Sequence, residues 1–584
     1  MADRTDWRRH WAGRERFVLF ASGWQQGEID AVIAHWQADP ARARHLHVIA
    51  IAGGPLPGFA RSVRAADGVT VDLLHAPLAA ALAQLQARID GVALAGDEDA
   101  ATLPRALSRL LARGAVLHAA RLQPGLGQAL GATGWVQEAT ADDNASASAN
   151  ANANAANAAN VVCPANVANA AWLRYASRKP IAPPPAPPVR SAIVIGAGLA
   201  GAAACERLCA RGWHVTLVER HPAPAMEASG NLAGITMPLL SKDDNIASRL
   251  SRAAFLFARD YWRTLGGLGP GGTIEGEPCG VLHVARDSAH AGLQAAIADA
   301  RALPPDYAVW LAAAAARARF GAVAPHGAWW FADGGWIRPA SAIAAMLAAC
   351  GARLQRRFGA GQVSLQQCDG GWHVHDGAGS VLASAAVVIV ASGGGAVAQT
   401  AALPLERVRG QVTHLAVGSV PDLGHVLCRE AYLTPAVGGL RSAGATYDSD
   451  LDPALRQSSQ DQNLDKMRSM LADATVAADA PLAGRVGFRA VAPDRLPLVG
   501  AVPEADFTVG AERLRDLPRQ PGLYTLLGYA SRGLTWAPLA AELIAASLEG
   551  EPLPLEGDLC AALDPGRFLL RQRRGKPARA PKHG

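Results

Sequence analysis

The segment Ser191 to Glu219, SAIVIGAGLAGAAACERLCARGWHVTLVE, constrains the fold more than any other part of the chain. It reads as an apolar strand, a glycine turn, a helix, a second strand and a terminal acid, the order of a βαβ unit in a parallel sheet. Gly196 permits the tight turn, Gly198 lets the backbone approach a pyrophosphate, and Gly201 lets the helix lie against the strand. The helix N-terminus then presents its free N–H groups to the phosphates. Glu219 lies 18 residues beyond Gly201, where a carboxylate accepts both ribose hydroxyls and repels a 2′-phosphate. A chance turn rich in glycine and alanine is the alternative, but the agreement of all these contexts predicts a dinucleotide site.

At 584 residues the chain has room for two or three domains. Half of its residues are hydrophobic, yet no apolar run approaches the ~20 residues of a membrane span. The start, MADRTDWRRHWAGRERF, is too charged for a secretory leader, so a cytoplasmic location is expected. The 8 cysteines are scattered without CxxC spacing, and neither a metal site nor a disulfide framework is expected. A net charge of +5 does not by itself imply nucleic acid. Its distribution says more: Arg567, Arg571, Arg573, Arg574, Lys576, Arg579 and Lys582 end the chain without an intervening acid. The stretch 567–584 reads as a basic tail, either a phosphate-binding arm or merely solvated.

Residues 139–190 divide the chain. NASASANANANAANAAN is too small and polar to bury apolar surface, and PIAPPPAPPVR is stiffened by proline, so the stretch reads as a linker between units 1–138 and 191–566. In the first unit, FVLF, HLHVIAI, VTVDLL, GVALA and GAVLHAA alternate with helix-like stretches, which predicts a small α/β sheet. Its first crossover, ASGWQQGEID, places Trp24, Gln25 and Gln26 where a nucleotide-cradling loop wants small residues. Its second and fourth strands end in Ala52 and Ala95, with no acid for a ribose.

The second unit carries further cofactor signals. The strand AAVVIVASGGGA ends in glycines that include Gly393, as suits a second strand end close to a cofactor. Near the C-terminus, LYTLLGYASRGLTWAPLAAELIAASL offers a strand, a turn at Gly528 and a helix from about Arg532 and Gly533, whose positive end can face a flavin ring. Nicotinamide enzymes do not need this late return. FAD is therefore favoured, against an ordinary closing βα unit.

The glycine turn with Glu219, then ASGNLAGITMPLLSKDDN, GGWIRPA, RGQVTHL, LCREAYLTP, GATYD, RAVAPDRLPLVGAVP and SRGLTWAPLAAE, resembles the glycine-oxidase-like flavoprotein half of the bifunctional tRNA 5-methylaminomethyl-2-thiouridine biosynthesis family, MnmC. The resemblance implies an FAD-binding Rossmann-type domain of the glycine-oxidase and D-amino-acid-oxidase kind with an inserted substrate domain. It also implies oxidation of the carboxymethylaminomethyl group on wobble uridine 34 of tRNA, releasing glyoxylate. Ser229, Gly230 and Asn231 of the SGN block join the glycines as expected cofactor-binding residues. Arg489 and Arg532, each expected in a glycine-adjacent turn, match positions where related amine oxidases grip a carboxylate, a surface ion pair being the alternative. Tyr432 is expected either to orient substrate or simply to pack, and His414 is not expected to act as a base. By similarity to the oxidases, oxygen is the expected electron acceptor.

The same resemblance accounts for the first unit. Family members begin with an S-adenosylmethionine-dependent methyltransferase that uses an acidic, glycine-rich first loop and acids after the second and fourth strands. Here Ala21, Gln25, Ala52 and Ala95 stand at the departures, and the reading favours a degenerate unit that has lost methyl transfer and S-adenosylmethionine. Two other readings stay open: an FAD-dependent oxidase of free glycine or sarcosine, and a non-catalytic tRNA-binding flavoprotein.

Overall fold

The computed structural model describes residues 7–64, 67–96, 98–119, 121–137, 171–176, 189–395, 397–471, 482–505 and 512–574. The chain divides into two compact units, 1–186 with 546–557 and 187–545 with 558–584.

The first unit is built on eight strands: β1 (Arg16–Ala21), β2 (His45–Ile51), β3 (Gly58–Arg64), β4 (Val69–His75), β5 (Ile89–Leu94), β6 (Leu111–Ala119), β7 (Trp135–Gln137) and β8 (Ala171–Tyr175). Their order is β3-β4-β2-β1-β5-β6-β8-β7. The middle five are parallel, and β3, β7 and β8 are antiparallel to their neighbours. The apolar run Phe17–Ala21 of β1 is explained by burial on both faces, since successive side chains point to opposite sides. Val18 and Phe20 join one core with Ala81 and Leu82 of the helix Leu78–Gln84; Phe17, Leu19 and Ala21 join the other with Ile29 and Val32 of the helix Gln26–Ala38.

All five expected strands are present, but the expected linker 139–190 is not connector throughout, because Ala171–Tyr175 within it is β8 and pairs with β6 and β7. A five-residue strand beside a low-complexity run leaves little periodicity to read. Residues 546–557 also group with this unit rather than with 191–566. The Arg61 guanidinium donates to the Pro552 carbonyl at 2.6 Å, and Arg16 pairs with Glu551 at 2.9 Å. Arg61 also grips Asp72 through both carboxylate oxygens at 2.7 Å, with His47 Nε2 at 2.8 Å from the same acid.

In the second unit a six-stranded sheet runs in the order Leu354–Arg357, His214–Val218, Ser191–Ile195, Val387–Val390, Arg519–Leu527 and Leu498–Pro503. The first five are parallel and the last is antiparallel. The helix Leu199–Cys209 is buried along its whole length, which accounts for its run of alanines. An eight-stranded mixed sheet forms the second layer and includes Val281–Val284, Val426–Cys428, Tyr432–Leu433, Leu440–Gly444, Glu406–Ala416 and Gly484–Val491. The expected basic tail begins differently from a free arm. Arg567–Arg573 is helical, Arg567 is buried against Asp494 at 2.8 Å, and Arg571 reaches the same carboxylate at 2.9 Å. Lys576, Arg579 and Lys582 lie outside the described residues. Among the described residues no helix is long and apolar enough to cross a membrane.

Candidate active site

A cavity of about 1060 Å³ in the second unit is where the two sheets contribute side chains to one space. The glycine turn forms part of its wall. Gly196 has φ +108°, and a Cβ there would stand 2.7 Å from the Ala391 carbonyl oxygen, so the position combines a left-handed backbone with a close approach to the neighbouring strand end. Gly201 does not line the cavity. Its Cβ would fall 1.8 Å from the Gly196 carbonyl oxygen, and its role is to seat the helix on the turn.

Glu219 is buried at the end of its strand and lines the cavity. Its carboxylate accepts from the amides of Ala197 (2.7 Å) and His221 (2.9 Å), one to each oxygen. Each oxygen keeps a lone pair for a diol. Ser229 Oγ accepts from the Leu199 amide at 3.2 Å, and Asn231 Oδ1 accepts from Arg485 at 3.2 Å. Both residues line the cavity, as do Gly198, Gly393, Gly528 and Gly533. Gly230 is outside the lining; a Cβ there would meet the Arg485 guanidinium at 2.4 Å, so it makes room for that side chain. The helix Gly533–Glu549 begins at the cavity wall. A space with an acid at the ribose position, small residues at the turn and two helix starts, at Leu199 and Gly533, in its wall fits FAD in donor set.

The second sheet supplies the other wall through strand register. His283 pairs with Cys428, Cys428 with Tyr432, Tyr432 with Gly444 and Gly444 with Val412, and all five positions line the cavity. Directly opposed residues share a face of the sheet, so these strands present one continuous row. Burial pushes the Tyr432 hydroxyl up to about 12 despite the nearby Arg489, and pushes the Cys428 thiol up to about 12. Burial, with His290 and Arg532 adding to it, pushes His283 down to about 4. Near neutral pH the row therefore holds a phenol, a thiol and a neutral imidazole.

Arg489 and Arg532 both line this cavity, with Tyr432. Arg489 is not in a turn, as its glycine-rich surroundings suggest, but within the strand Gly484–Val491. Its guanidinium lies across Gly410 of the adjoining strand, where a Cβ would be 2.1 Å from Nη1, and it donates to the Thr446 carbonyl at 3.2 Å. Arg532 does sit in a turn, its amide donating to the Tyr529 carbonyl, and Nη1 is 3.4 Å from the Met237 carbonyl. Burial lowers the pKa of both guanidiniums, and neither forms an ion pair with an acid among the described residues. The surface ion pair is thus not what holds them. Two partly buried cations facing one cavity favour an anionic ligand.

Among the cavity residues that escaped the sequence reading are His283, Gly410 and Tyr529. Tyr529 Oη is buried without a hydrogen-bond partner among the described residues. Its position beside Gly528 in the late turn was a usable signal; His283 and Gly410 become visible only through register. His414, by contrast, is outside the lining, its pKa lowered by burial and by Arg485.

In the first unit the chain's own groups occupy the strand ends at the switch point of the sheet, the usual ligand crevice of such folds. Glu98 accepts from the amides of Ala95 (2.8 Å) and Gly96 (2.9 Å), and Glu28 accepts from the Gln25 amide at 2.9 Å. The Ala52 amide donates to Leu74 at 3.1 Å. At Gly23 a Cβ would already be 3.0 Å from that of Ala95.

The fold and the cavity are those of an FAD-dependent oxidoreductase acting on CH–NH groups, and residues 191–547 match the family model described as FAD dependent oxidoreductase. The crystal structure of glycine oxidase from Geobacillus kaustophilus is similar with a TM-score of 0.51 over 64% of this chain and 98% of the oxidase, and at 19% identity the likeness is one of fold. The chain is 38% identical to the tRNA 5-methylaminomethyl-2-thiouridine biosynthesis bifunctional protein MnmC of Azoarcus sp. (strain BH72), over 97% of this chain and 92% of that protein. It is 47% identical to the protein of the same name from Burkholderia thailandensis (strain ATCC 700388 / DSM 13276 / CCUG 48851 / CIP 106301 / E264), over 67% of this chain and 61% of that protein. The chain belongs to the MnmC family.

Proposed function

We propose that the second unit removes the carboxymethyl group from 5-carboxymethylaminomethyluridine, with or without a 2-thio group, at position 34 of tRNA in the cytoplasm. The products are the 5-aminomethyl nucleoside and glyoxylate. The observation that carries this reading is the pair of partly buried arginines, Arg489 and Arg532, lining the cavity that the glycine turn and Glu219 also line.

Gly196, Gly198, Glu219, Ser229, Asn231, Gly393, Gly528 and Gly533 hold the cofactor, with Gly201 and Gly230 supporting them from behind. Bound FAD supplies a two-electron acceptor for the hydride of the C–H bond between the amine and the carboxylate. Arg489 and Arg532 grip the substrate carboxylate by charge-assisted hydrogen bonds and so fix which carbon is presented. Tyr432, held protonated by burial, orients the arm as a hydrogen-bond donor. His283 stays neutral near pH 7 and adds no positive charge to oppose the arginines. Water splits the resulting imine, leaving the primary amine on the base and the carbonyl on glyoxylate.

For the first unit, the occupied amides at Gln25, Ala95 and Gly96 and the alanines at 21, 52 and 95 support loss of methyl transfer. The unit then serves as a scaffold or a tRNA-docking surface. Mass spectrometry of wobble nucleosides from a deletion strain tests the oxidation: accumulation of the carboxymethylaminomethyl nucleoside is expected, and an unchanged profile refutes it. Purified protein with S-adenosylmethionine and aminomethyl-tRNA is expected to give no methylated product; its appearance would show that the first unit is active.

A further inference from the structure

We infer that Tyr447 is an aromatic platform on which the uracil ring of the RNA substrate stacks while its arm enters the cavity, a deepening of the tRNA reading on which it rests. Tyr447 lines the cavity and is nevertheless 45% exposed, an aromatic ring among the exposed large hydrophobic residues of the described chain. It stands on a rigid backbone. The Ala445 carbonyl accepts from Lys466 Nζ at 3.2 Å, and the Thr446 carbonyl accepts from Arg489 at 3.2 Å. The Thr446 amide donates to Gln411 at 3.1 Å, and the Asp448 amide to Arg409 at 3.0 Å. An exposed aromatic ring held this firmly offers binding area at little further cost in order.

The ring is also coupled to the carboxylate clamp. The Arg489 guanidinium lies over it, 5.6 Å from its centroid. From C5 of the pyrimidine to the carboxylate carbon the arm has four bonds and spans about 5 Å extended. An arm of this length lets one substrate reach the guanidinium with its carboxylate while its base lies against the exposed part of the phenol that Arg489 leaves uncovered. Stacking suits a base that must leave its neighbours in an anticodon loop, because an aromatic face replaces the lost stack. A small amino acid has no ring to place there, so Tyr447 separates an RNA substrate from a free one.

The test compares wild type, Tyr447→Ala and Tyr447→Phe, all as FAD-loaded full chains, on two substrates: an anticodon stem-loop carrying the carboxymethylaminomethyl group, and sarcosine. The ratio of kcat/KM on RNA to kcat/KM on sarcosine is expected to fall about 10-fold or more in Tyr447→Ala, through KM, and to be kept in Tyr447→Phe. An unchanged ratio in Tyr447→Ala refutes the platform while leaving the tRNA reading intact, and so does an equal loss in Tyr447→Phe. Wild-type protein that oxidises sarcosine but leaves the RNA untouched refutes the tRNA reading, and the platform with it.

Discussion

Replacing Gly201 by alanine sets two effects of opposite sign against each other. Gly201 lies in the first turn of the helix Leu199–Cys209, and by helix propensity alone alanine there stabilises by about 1 kcal/mol. The added Cβ, however, would lie 1.8 Å from the Gly196 carbonyl oxygen. That is roughly 1.5 Å short of an ordinary C···O contact of about 3.3 Å. The obstacle is backbone, so no rotamer change relieves it, and the helix is buried along its whole length. Overpacking of this kind costs about 1–3 kcal/mol, and a backbone clash belongs at the upper end, leaving a net loss of about 2 kcal/mol. For a unit of this size that lowers Tm by roughly 2–3 °C. Because the displaced oxygen belongs to the cofactor turn, FAD retention falls as well. Gly198→Ala is the internal control: its Cβ would lie 3.2 Å from the side-chain oxygen of Ser229, and it faces the cavity. That variant is expected to lose flavin while its apoprotein melts within about 1 °C of wild type, since its site has no backbone clash. Thermal melts of the apoproteins and flavin absorbance after desalting decide the matter. A Gly201→Ala apoprotein that melts at or above wild type refutes the packing argument.

Arg489→Met is expected to lower kcat/KM for oxidation by about 100-fold, the worth of a charge-assisted contact to a carboxylate, and Arg489→Lys does not restore a planar clamp. Gly410→Ala, whose Cβ would meet that guanidinium at 2.1 Å, is expected to reproduce most of the loss in steady-state kinetics while flavin content is kept. In the first unit, burial raises the pKa of Asp72, but Arg61 and His47 outweigh it and hold the acid at about 2, below its ordinary 3.8. A depressed folded pKa contributes stability above the unfolded value, here about 2 kcal/mol, which is lost as pH falls through about 2. Asp72→Asn removes the carboxylate that Arg61 and His47 share, and urea denaturation at neutral pH is expected to show a loss of about 2 kcal/mol that narrows towards pH 2.

How much of this was legible beforehand depended on distance along the chain. The turn from Gly196 to Gly201 and the acid at Glu219 act within one βαβ unit, so spacing alone carried their geometry, and the alternation of apolar runs carried the five parallel strands of the first unit. The glycines at 528 and 533 announced the late return for the same reason. The wall facing the cofactor had no such signature. His283, Cys428, Tyr432 and Gly444 come together through cross-strand register between segments far apart in sequence, and Arg489 reaches the cavity only because Gly410 on another strand leaves it a path. Short strand β8 and the grouping of 546–557 with the first unit were hidden likewise, since their stabilising partners, β6 and β7 in one case and Arg61 and Arg16 in the other, lie elsewhere in the chain. By itself the sequence determined the cofactor turn and the layered α/β plan, which rest on local backbone conformation and periodic burial. Only the tertiary structure decided which side chains face the substrate, because pairing between distant strands is set by packing rather than by spacing.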